Sequence, residues 1–328
     1  MKIVVTGSNG FVGANLIDEL IKRFPEAEIN CLVRSDKKNA ASSNIKYYKV
    51  NYLDKNSLLN CKALDDVDYL YHVAGVTKSA TEKGFVEGNV IPGLHLLETL
   101  EEKKTPIKRF VLVSSQTASG PSKGNGHFKT EEEPENPVEL YGKSKLQSEQ
   151  NTKKFKDKIP YTIISPSSVY GPRDVDFLNI FKMIKSGVNV YAGNKEQTVS
   201  LIYVKDLVDA IIDSSLSEKT LYKKYFVNDE VPQNWGQIQS LVFEVAGRKK
   251  IDVSIPYELL SVIAYAGSFY SVVTNKPVLL NRNKILLSKP DWVFTSRKAQ
   301  ADFGFKCKYT LSQALKETYD WYKQNKWL

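Results

Sequence analysis

Residues 2–13 read KIVVTGSNGFVG, an apolar run followed by a turn with glycines at positions 7, 10 and 13 and then by a helical pattern. Glycines allow a tight turn and a close approach of the backbone to a ligand, and the N–H groups that open the helix favour an anion such as a pyrophosphate. A glycine triplet alone is weak evidence for a dinucleotide site, but here the triplet lies between a strand and a helix, as such a site requires. The stretch therefore predicts a dinucleotide-binding fold.

The first half of the chain repeats this alternation of strand and helix. Strands are predicted at 3–6, 28–33, 46–50, 69–73, 109–114 and 161–165, and helices at 13–24, 86–102 and 141–155. Continuous apolar strands separated by helices indicate an α/β, doubly wound parallel sheet of the Rossmann type. Beyond Pro166 the pattern loosens, with strands predicted at 198–204 and 225–228. We expect an NAD(P)-binding domain over 1–172 plus 198–230, and a smaller C-terminal substrate lobe over 173–197 plus 231–328.

The charge of the chain is basic: 46 lysines and arginines stand against 37 acidic residues, a formal net charge of +9. Such a balance suits an anionic ligand or a nucleic acid, and general lysine enrichment explains it equally well. Because the lysines are spread along the sequence instead of forming one arm, we expect no nucleic-acid partner.

The cysteines and the amino terminus indicate the cellular compartment in which the protein is expected. Cys31, Cys61 and Cys307 are odd in number and lack a CxxC spacing, and the sequence starts on a strand with no signal peptide. This pattern is typical of a cytoplasmic, reduced, metal-free protein. The long apolar stretch over 259–274 falls short of the ~20 residues that span a bilayer. We expect a helix of the substrate lobe there, with interfacial membrane contact as the alternative.

The residues with the clearest chemistry are Tyr141 and Lys145, which lie one helical turn apart on the same face of a predicted helix. Bringing a tyrosine pKa from about 10 to about 7 requires roughly 4 kcal/mol of differential stabilisation. A lysine ammonium and the positive charge of an oxidised nicotinamide would supply it. Ser115 follows a strand at the sheet edge where ligands bind, and could hold a substrate oxygen. Ser114 competes for this role, and Thr117 is near enough to assist.

Taken together, these motifs resemble the extended short-chain dehydrogenase/reductase family, which includes NAD-dependent epimerases and dehydratases, 3β-hydroxysteroid dehydrogenases and dihydroflavonol reductases. The likeness covers nearly the whole chain. It rests on the GxxGxxG spacing, on HVAG at 72–75, Asn89, YGKSK at 141–145 and VYGPR at 169–173. The resemblance implies that Ser115, and not Ser114, is the catalytic serine, together with Tyr141 and Lys145. It implies the following cofactor-binding residues: Gly7, Asn9, Gly10, Phe11, Val12, Gly13, Arg34, Asn51, Tyr52, Ala74, Gly75, Asn89, Tyr141, Lys145, Pro166, Ser168 and Val169.

Two positions depart from the family pattern. The second strand ends at Arg34, where an NAD-preferring member would carry an acidic residue. Arg34, with Lys37 and Lys38 behind it, could pair with a 2′-phosphate, so NADP is slightly favoured over NAD, unless this is only a solvated basic loop. The third strand ends in Asn51 where relatives place an aspartate. Asn51 still accepts a hydrogen bond, so adenine recognition is altered.

Other candidates carry two interpretations each. The family suggests that Asn89 supports the active site, whereas a helix cap is the alternative. Lys78 and Arg173 are tentative substrate contacts that could equally be surface cations, and Thr117 is a third tentative contact. The three histidines show no metal-ligand spacing, so no metal site is predicted.

Three functions fit the sequence. The first is an NAD(P)-dependent carbonyl reductase or alcohol dehydrogenase acting on a small, partly apolar substrate. The second is a nucleotide-sugar epimerase or dehydratase, although Ser115-Gln116-Thr117 lacks the carboxylates that a dehydratase would want. The third is a non-catalytic NAD(P)-binding sensor, which would tend to lose the tyrosine or the lysine.

The substrate prediction rests on position 199. Relatives that bind UDP-sugars commonly carry an arginine just before the segment resembling residues 200–204, and this chain has Val199. A buried diphosphate without a charge partner would be costly, so an apolar substrate is favoured. Possible lining residues, which core packing explains as well, are Phe177, Phe181, Ile263, Tyr265, Phe269 and Tyr270. By family resemblance we also expect a homodimer, formed through helices that carry Leu94, Leu97, Leu140 and Leu146.

Overall fold

The computed structural model describes residues 1–35, 44–192, 194–256, 259–260, 262, 264–267 and 287–328. Its strands are β1 Lys2–Thr6, β2 Glu28–Val33, β3 Ile45–Lys49, β4 Tyr69–His72, β5 Arg109–Val113, β6 Tyr161–Pro166, β7 Ser168–Tyr170, β8 Val188–Ala192, β9 Thr198–Val199, β10 Leu201–Tyr203, β11 Lys223–Val227, β12 Gln233–Asn234 and β13 Ile251–Ile255. The main helices are α1 Phe11–Arg23, α2 Lys55–Leu59, α3 Glu82–Phe85, α4 Ile91–Glu102, α5 Leu140–Lys153, α6 Leu178–Ser186, α7 Val204–Leu216, α8 Trp235–Val245, α9 Arg297–Phe303 and α10 Leu311–Gln324.

Seven of the strands form one parallel sheet, in the order β11-β6-β5-β4-β1-β2-β3. The chain order reverses between β1 and β4, which is the topological switch point where open α/β sheets bind ligands at the carboxyl ends of their strands. The predicted doubly wound Rossmann fold is therefore confirmed. Three two-stranded ribbons accompany the sheet: β7 with β10, β9 with β12, and β8 with β13.

Both faces of the sheet are covered by apolar clusters. Successive side chains of a strand point to opposite sides, so each strand contributes to both clusters. Ile3 and Val5 join the apolar cluster that includes Leu16 and Leu20 of α1. Val4 joins the cluster on the other face, with Leu97 of α4. Leu97 is fully buried in this core, so its predicted role as a dimer contact is wrong.

The predicted elements differ from the observed ones mainly at their ends. The helix expected over 86–102 consists of a π-helical turn at Val86–Val90 followed by α4, and α3 precedes it. The strand expected over 198–204 is split at Ser200, whose N–H donates to the Trp292 carbonyl, 2.8 Å away. Its hydroxyl accepts from the Phe294 N–H, so the two halves pair with different partners.

The apolar stretch over 259–274 falls largely outside the described residues, as do Ile263, Phe269 and Tyr270. Among the helices that are described, none is both long and apolar enough to cross a bilayer. The division into a cofactor domain and a substrate lobe stays a prediction.

Candidate active site

The glycine loop after β1 is packed tightly against the end of β4. Gly7 has a φ of +74°, and a Cβ built on it would lie 2.7 Å from the Ala74 nitrogen. A Cβ on Gly13 would lie 2.1 Å from the Gly7 carbonyl oxygen. Only glycine fits at these two positions, because any side chain would push the loop away from β4 and from the start of α1.

The same loop offers unused hydrogen-bonding groups. Gly10 precedes α1, and within the described chain no side chain caps this helix end, so its first N–H groups are open to an anion. The Ser8 hydroxyl is buried with no hydrogen-bond partner among the described residues, and so is the Ser167 hydroxyl, between Pro166 and Ser168. Buried polar groups normally have partners. The loop at Gly7–Gly13 and the segment after β6 therefore fit a phosphate-bearing dinucleotide.

A hydrogen-bond chain joins this loop to β4. The Thr6 hydroxyl accepts from the Ala74 N–H at 3.1 Å. It is also hydrogen-bonded to His72 Nδ1, 2.8 Å away. His72 is fully buried and its pKa is lowered to about 3, chiefly by desolvation and secondly by the charge of Lys145. The imidazole is thus neutral and serves to position the strand end beside the glycine loop.

The groups predicted to contact the adenosine half lie at the ends of β2 and β3. Arg34 is exposed. The Tyr52 ring is buried and its hydroxyl donates to the Leu32 carbonyl at 2.9 Å. The Asn51 side-chain oxygen accepts from the Leu53 N–H at 3.1 Å. The predicted basic residues at 37 and 38 lie outside the described residues.

Helix α5 begins with a buried carboxylate next to the predicted catalytic tyrosine. Glu139 is the N-cap residue, and its side chain accepts from the backbone N–H groups of Tyr141 and Gly142. Burial raises the pKa of Glu139, and the two N–H groups oppose this rise. The cap fixes the first turn of the helix and therefore the backbone of Tyr141.

The structure brings Tyr141 and Ser115 together. The Ser115 hydroxyl lies near enough to the Tyr141 phenol to oppose the rise in its pKa, and the Ser115 oxygen accepts from the Thr117 hydroxyl at 2.9 Å. Ser114 points elsewhere, because its hydroxyl donates to the buried carboxylate of Glu149. Of the two competing serines, Ser115 is the one whose hydroxyl influences the tyrosine.

Burial has the largest effect on the protonation of Tyr141 and raises its pKa to about 12. The nearby Ser115 hydroxyl opposes this rise in the pKa, and the charge of Glu139 adds to it. Tyr141 is therefore a neutral phenol that can donate a proton. Burial lowers the pKa of Lys145 to about 8, against the opposing effect of Glu149.

Lys145 is placed on the sheet side of α5. Its ammonium donates to the Val113 carbonyl at 2.7 Å, and the residue as a whole is 4% exposed. A Cβ built on Gly75 would lie 3.9 Å from the Lys145 nitrogen and 3.0 Å from the Asn89 side-chain oxygen. The lysine, Gly75 and Asn89 thus lie in one cluster, and their roles in cofactor binding stay a prediction.

Asn89 connects two segments of this cluster. Its amide nitrogen donates to the Val76 carbonyl at 3.0 Å and to the Ser144 hydroxyl at 2.9 Å, and its oxygen accepts from the Val76 N–H at 2.7 Å. Asn89 lies inside the π-helical turn, and Thr81 is the N-cap of α3. The helix-cap interpretation of Asn89 is therefore wrong, and its contacts are those of a support for the loop after β4.

The two cations predicted near the substrate are each paired with a carboxylate. Lys78 lies 2.5 Å from an oxygen of Asp176, and Arg173 lies 2.7 Å from an oxygen of Asp18. Arg173 also has a backbone φ of +78°, which residues other than glycine rarely adopt. Their role as substrate contacts stays a prediction.

Some of the residues predicted to line an apolar substrate pocket belong to the hydrophobic core of the protein. Phe181 is fully buried and stacks on Tyr319 at 6.2 Å between ring centroids. Phe177 packs on Tyr170 at 5.4 Å. Val199 is 4% exposed and belongs to the same apolar core. Phe181 is thus accounted for by packing alone.

Two residues that shape the site have no role in the sequence prediction, Gly142 and Glu149. Gly142 belongs to the predicted YGKSK motif, and the structure shows that it governs how closely α5 approaches the turn after Ser115. Glu149 lies four residues after Lys145, which is the spacing of a same-face pair on a helix, and this signal was available in the sequence.

Comparison with known proteins identifies the family of this chain. A family model described as the NAD dependent epimerase/dehydratase family matches residues 3–216. A 4-epimerase of N-acetyl-alpha-D-glucosaminyl-diphospho-ditrans,octacis-undecaprenol from Escherichia coli O157:H7 is 24% identical over 326 residues, covering 96% of this chain and 93% of the relative. A ceramide reductase from Caulobacter vibrioides is 23% identical over 331 residues, covering 99% and 96%.

Solved structures share the fold. The UDP-glucose 4-epimerase of Thermotoga maritima, solved with UDP-glucose, superposes with a TM-score of 0.81 at 20% identity, over 99% of each chain. A UDP-glucuronic acid 4-epimerase from Bacillus cereus, solved with NAD, gives 0.76 at 20% identity over 99% of each chain. With a family model that matches well over half of its residues, the chain belongs to the NAD-dependent epimerase/dehydratase family of the extended short-chain dehydrogenases/reductases.

Proposed function

We propose that this protein is an NAD(P)-dependent oxidoreductase that interconverts a hydroxyl and a carbonyl group on a small substrate with an apolar body. The observation that carries the proposal is that Ser115 lies near a neutral Tyr141, with Lys145 on the same helix as the tyrosine. This arrangement can hold a carbonyl oxygen and protonate it, which is what reduction of a ketone or aldehyde requires.

The chain's own residues divide the work as follows. The loop at Gly7–Gly13 and the open start of α1 would hold the cofactor pyrophosphate, and the bound nicotinamide supplies or accepts the hydride. Ser115 orients the substrate oxygen, Tyr141 donates its phenolic proton to that oxygen, and the Lys145 ammonium stabilises the phenolate that is left. In the oxidative direction the same groups act in reverse.

Val199 supports a substrate with an apolar body. Its backbone pairs with Gln233 and bridges to Trp292, and its side chain is buried in the core, so this position presents no charge to a diphosphate. An unpaired diphosphate at such a place would be costly to desolvate. The relative named as a ceramide reductase, similar over nearly all of this chain, supports reduction of a substrate with an apolar body.

A nucleotide-sugar epimerase is the second candidate, and the names of several relatives and structural neighbours favour it. The same serine, tyrosine and lysine would remove a hydride from a sugar carbon and return it. The two functions differ in one measurable respect, because an epimerase leaves no net change in the redox state of the cofactor.

The partners proposed are a small-molecule substrate and a second copy of this chain. For the dimer, Leu94, Leu140 and Leu146 are partly exposed on α4 and α5 and remain available for a contact between copies. Light scattering at micromolar concentration checks this proposal, and a monomer mass would contradict it.

The oxidoreductase is tested by following nicotinamide absorbance with a panel of aldehydes and ketones of increasing chain length. We expect net oxidation of NAD(P)H with preference for the more apolar members. Tyr141→Phe should keep the cofactor affinity and lower turnover by roughly 10² to 10⁴. Tyr319→Phe on α10 is the matched control and should turn over normally. Normal turnover by Tyr141→Phe would refute the catalytic assignment.

A further inference from the structure

An apolar surface is exposed on β13. Ile251 is 69% exposed, and Val253, two residues further along, is exposed as well. Residues two apart lie on one face of a strand, and the next residue of this face, Ile255, packs on the buried side chains of Leu260 and Ala264. Among the described residues, the segment after β13 therefore covers only the end of this face and leaves Ile251 and Val253 in contact with water.

The helical segment after β13 is apolar on its outer side as well as on its inner side. The described residues 259, 260, 262 and 264–267 are helical. Leu260 and Ala264, four residues apart, form the buried side. Leu259 and Val262, three residues apart, lie on another side and are both exposed, Val262 to 67%. A helix that faces water normally carries polar residues on its outer side. Exposed aliphatic side chains on both the helix and the strand therefore indicate a binding surface.

The excess positive charge of the chain is concentrated in the part of the sequence that contains this surface. Lysines occur along the whole chain, but residues 245–290 hold seven lysines and arginines against two acidic residues, so +5 of the net +9 lies in this stretch. Arg248 and Lys249 directly precede β13, are exposed, and form no ion pair within the described chain. Lys250, by contrast, pairs with Asp252 at 2.6 Å. Two unpaired cations thus border the exposed aliphatic side chains.

We propose that this surface docks on an anionic lipid bilayer. The basic apolar face, as we call it, consists of Arg248, Lys249, Ile251, Val253, Leu259 and Val262. Its aliphatic side chains enter the boundary between headgroups and acyl chains, and its two cations lie against anionic headgroups. A bilayer satisfies both features at once, whereas a second copy of this chain in a two-fold contact would bring the same cations to both sides of the interface.

Docking on a bilayer goes beyond the proposed function and does not depend on it. Strand β13 pairs with β8, and β8 follows α6 with only Gly187 between them. Helix α6 in turn follows the segment that carries Val169 and Arg173, the predicted cofactor and substrate contacts. The basic apolar face is therefore linked to the candidate site through one ribbon and one helix, and a bilayer is where a substrate with an apolar body would reside.

Flotation of the whole chain with lipid vesicles tests the proposal without substrate. We expect the protein to float with vesicles of phosphatidylcholine mixed with phosphatidylglycerol, and to float less as salt is added. It should stay behind with vesicles of phosphatidylcholine alone. Absence of flotation with the mixed vesicles, or equal flotation with both kinds, would overturn the proposal.

The apolar part of the face is tested with Ile251→Glu/Val262→Glu. Carboxylates at these positions should weaken binding to the mixed vesicles by roughly tenfold or more. Val231→Glu, at an exposed valine between β11 and β12, is the matched control and should bind like the parent protein. Melting followed by circular dichroism shows that each variant is folded. A folded double variant that binds as tightly as the parent protein would refute the assignment of this face.

The cations are tested separately with Arg248→Ala/Lys249→Ala, which should also weaken binding by roughly tenfold or more. Lys22→Ala/Lys83→Ala removes the same net charge from exposed lysines of α1 and α3 and should weaken binding far less. Equal weakening by the two pairs would mean that only the net charge matters, and the proposed face would be rejected.

Light scattering without vesicles separates the bilayer from a second copy of the chain. If the basic apolar face joins two copies, the parent protein is a dimer and Ile251→Glu/Val262→Glu is a monomer, and the bilayer proposal falls. The same oligomeric state in both proteins is expected. Vesicle binding by a protein that shows no reductase activity would sustain this inference and reject the proposed function.

Discussion

The carbonyl oxygen of Thr117 lies so close to Gly142 that a Cβ atom on residue 142 would be 2.4 Å from it. This contact joins the first turn of α5 to the short 3₁₀ turn Gln116–Ala118, which follows Ser115. The helix carries Tyr141, and Ser115 directly precedes the turn. The close approach that glycine permits therefore sets the distance between the two side chains to which we assign catalytic roles.

We therefore expect Gly142→Ala to push α5 away from the turn. Crowding of this kind costs about 1–3 kcal/mol of stability, and a displacement of about 1 Å at the reacting groups lowers turnover by roughly 10²-fold. Urea unfolding and steady-state kinetics measure the two effects. Gln147→Ala, at an exposed position of the same helix, is the control and should change neither. Full activity of Gly142→Ala would show that this contact does not set the geometry.

The loop at Gly7–Gly13 gives a second prediction. A methyl group at residue 13 would meet the Gly7 carbonyl oxygen at 2.1 Å, so Gly13→Ala must displace the loop from the start of α1. We expect NAD(P)H to bind at least about tenfold more weakly, equivalent to about 1.4 kcal/mol. Calorimetry measures this affinity. Lys22→Ala, whose side chain is 78% exposed at the far end of α1, should bind normally, and equal affinities of both variants would place the pyrophosphate elsewhere.

Cofactor choice is predicted from the end of β2. Arg34 is exposed and could pair with a 2′-phosphate. Arg34→Ala should then weaken NADP(H) by roughly tenfold or more while leaving NAD(H) nearly unchanged, the scale of one hydrogen bond to a charged group. If calorimetry finds that the parent protein binds both cofactors equally, the argument from Arg34 fails.

His72 predicts how stability depends on pH. Its pKa is lowered from 6.5 to about 3 in the folded protein, so between these values the unfolded chain binds a proton that the folded chain does not. Stability is therefore fully present above about pH 6.5 and is lost as the pH falls, by about 2 kcal/mol at pH 5 from this group. His72→Asn keeps a side chain that can hydrogen-bond to the Thr6 hydroxyl but cannot titrate.

Urea unfolding of both proteins at about pH 7 and pH 5 measures this difference. We expect the loss of stability on acidification to be smaller in His72→Asn by about 2 kcal/mol. An equal loss of stability on acidification in both proteins would mean that groups other than His72 cause it.

The sequence predicted the parts of the site that depend on local spacing. Gly7, Gly13, Tyr141 and Lys145 sit at fixed intervals within single elements, and their strand, turn and helix context could be read from periodicity. The fold followed from the same alternation, because buried parallel strands are apolar on both faces.

What escaped prediction depends on contacts distant in the chain. The Glu149–Lys224 pair joins α5 to β11, the Gly142 contact joins α5 to the turn after β5, and the break at Ser200 is made by Trp292. Leu97 and Phe181 could not be told from surface or lining residues, since an apolar side chain on a helix fits a core, an interface or a pocket equally well.

The most direct test of the central claim is a titration of UDP-glucose and UDP-galactose into the complex of the protein with its cofactor, followed by analysis of the sugar and of the cofactor redox state. With Val199 buried and uncharged where a diphosphate partner is expected, we predict no useful affinity and no conversion of either sugar. Micromolar binding, with interconversion of the two sugars and no net change in cofactor redox state, would contradict the oxidoreductase and establish the epimerase.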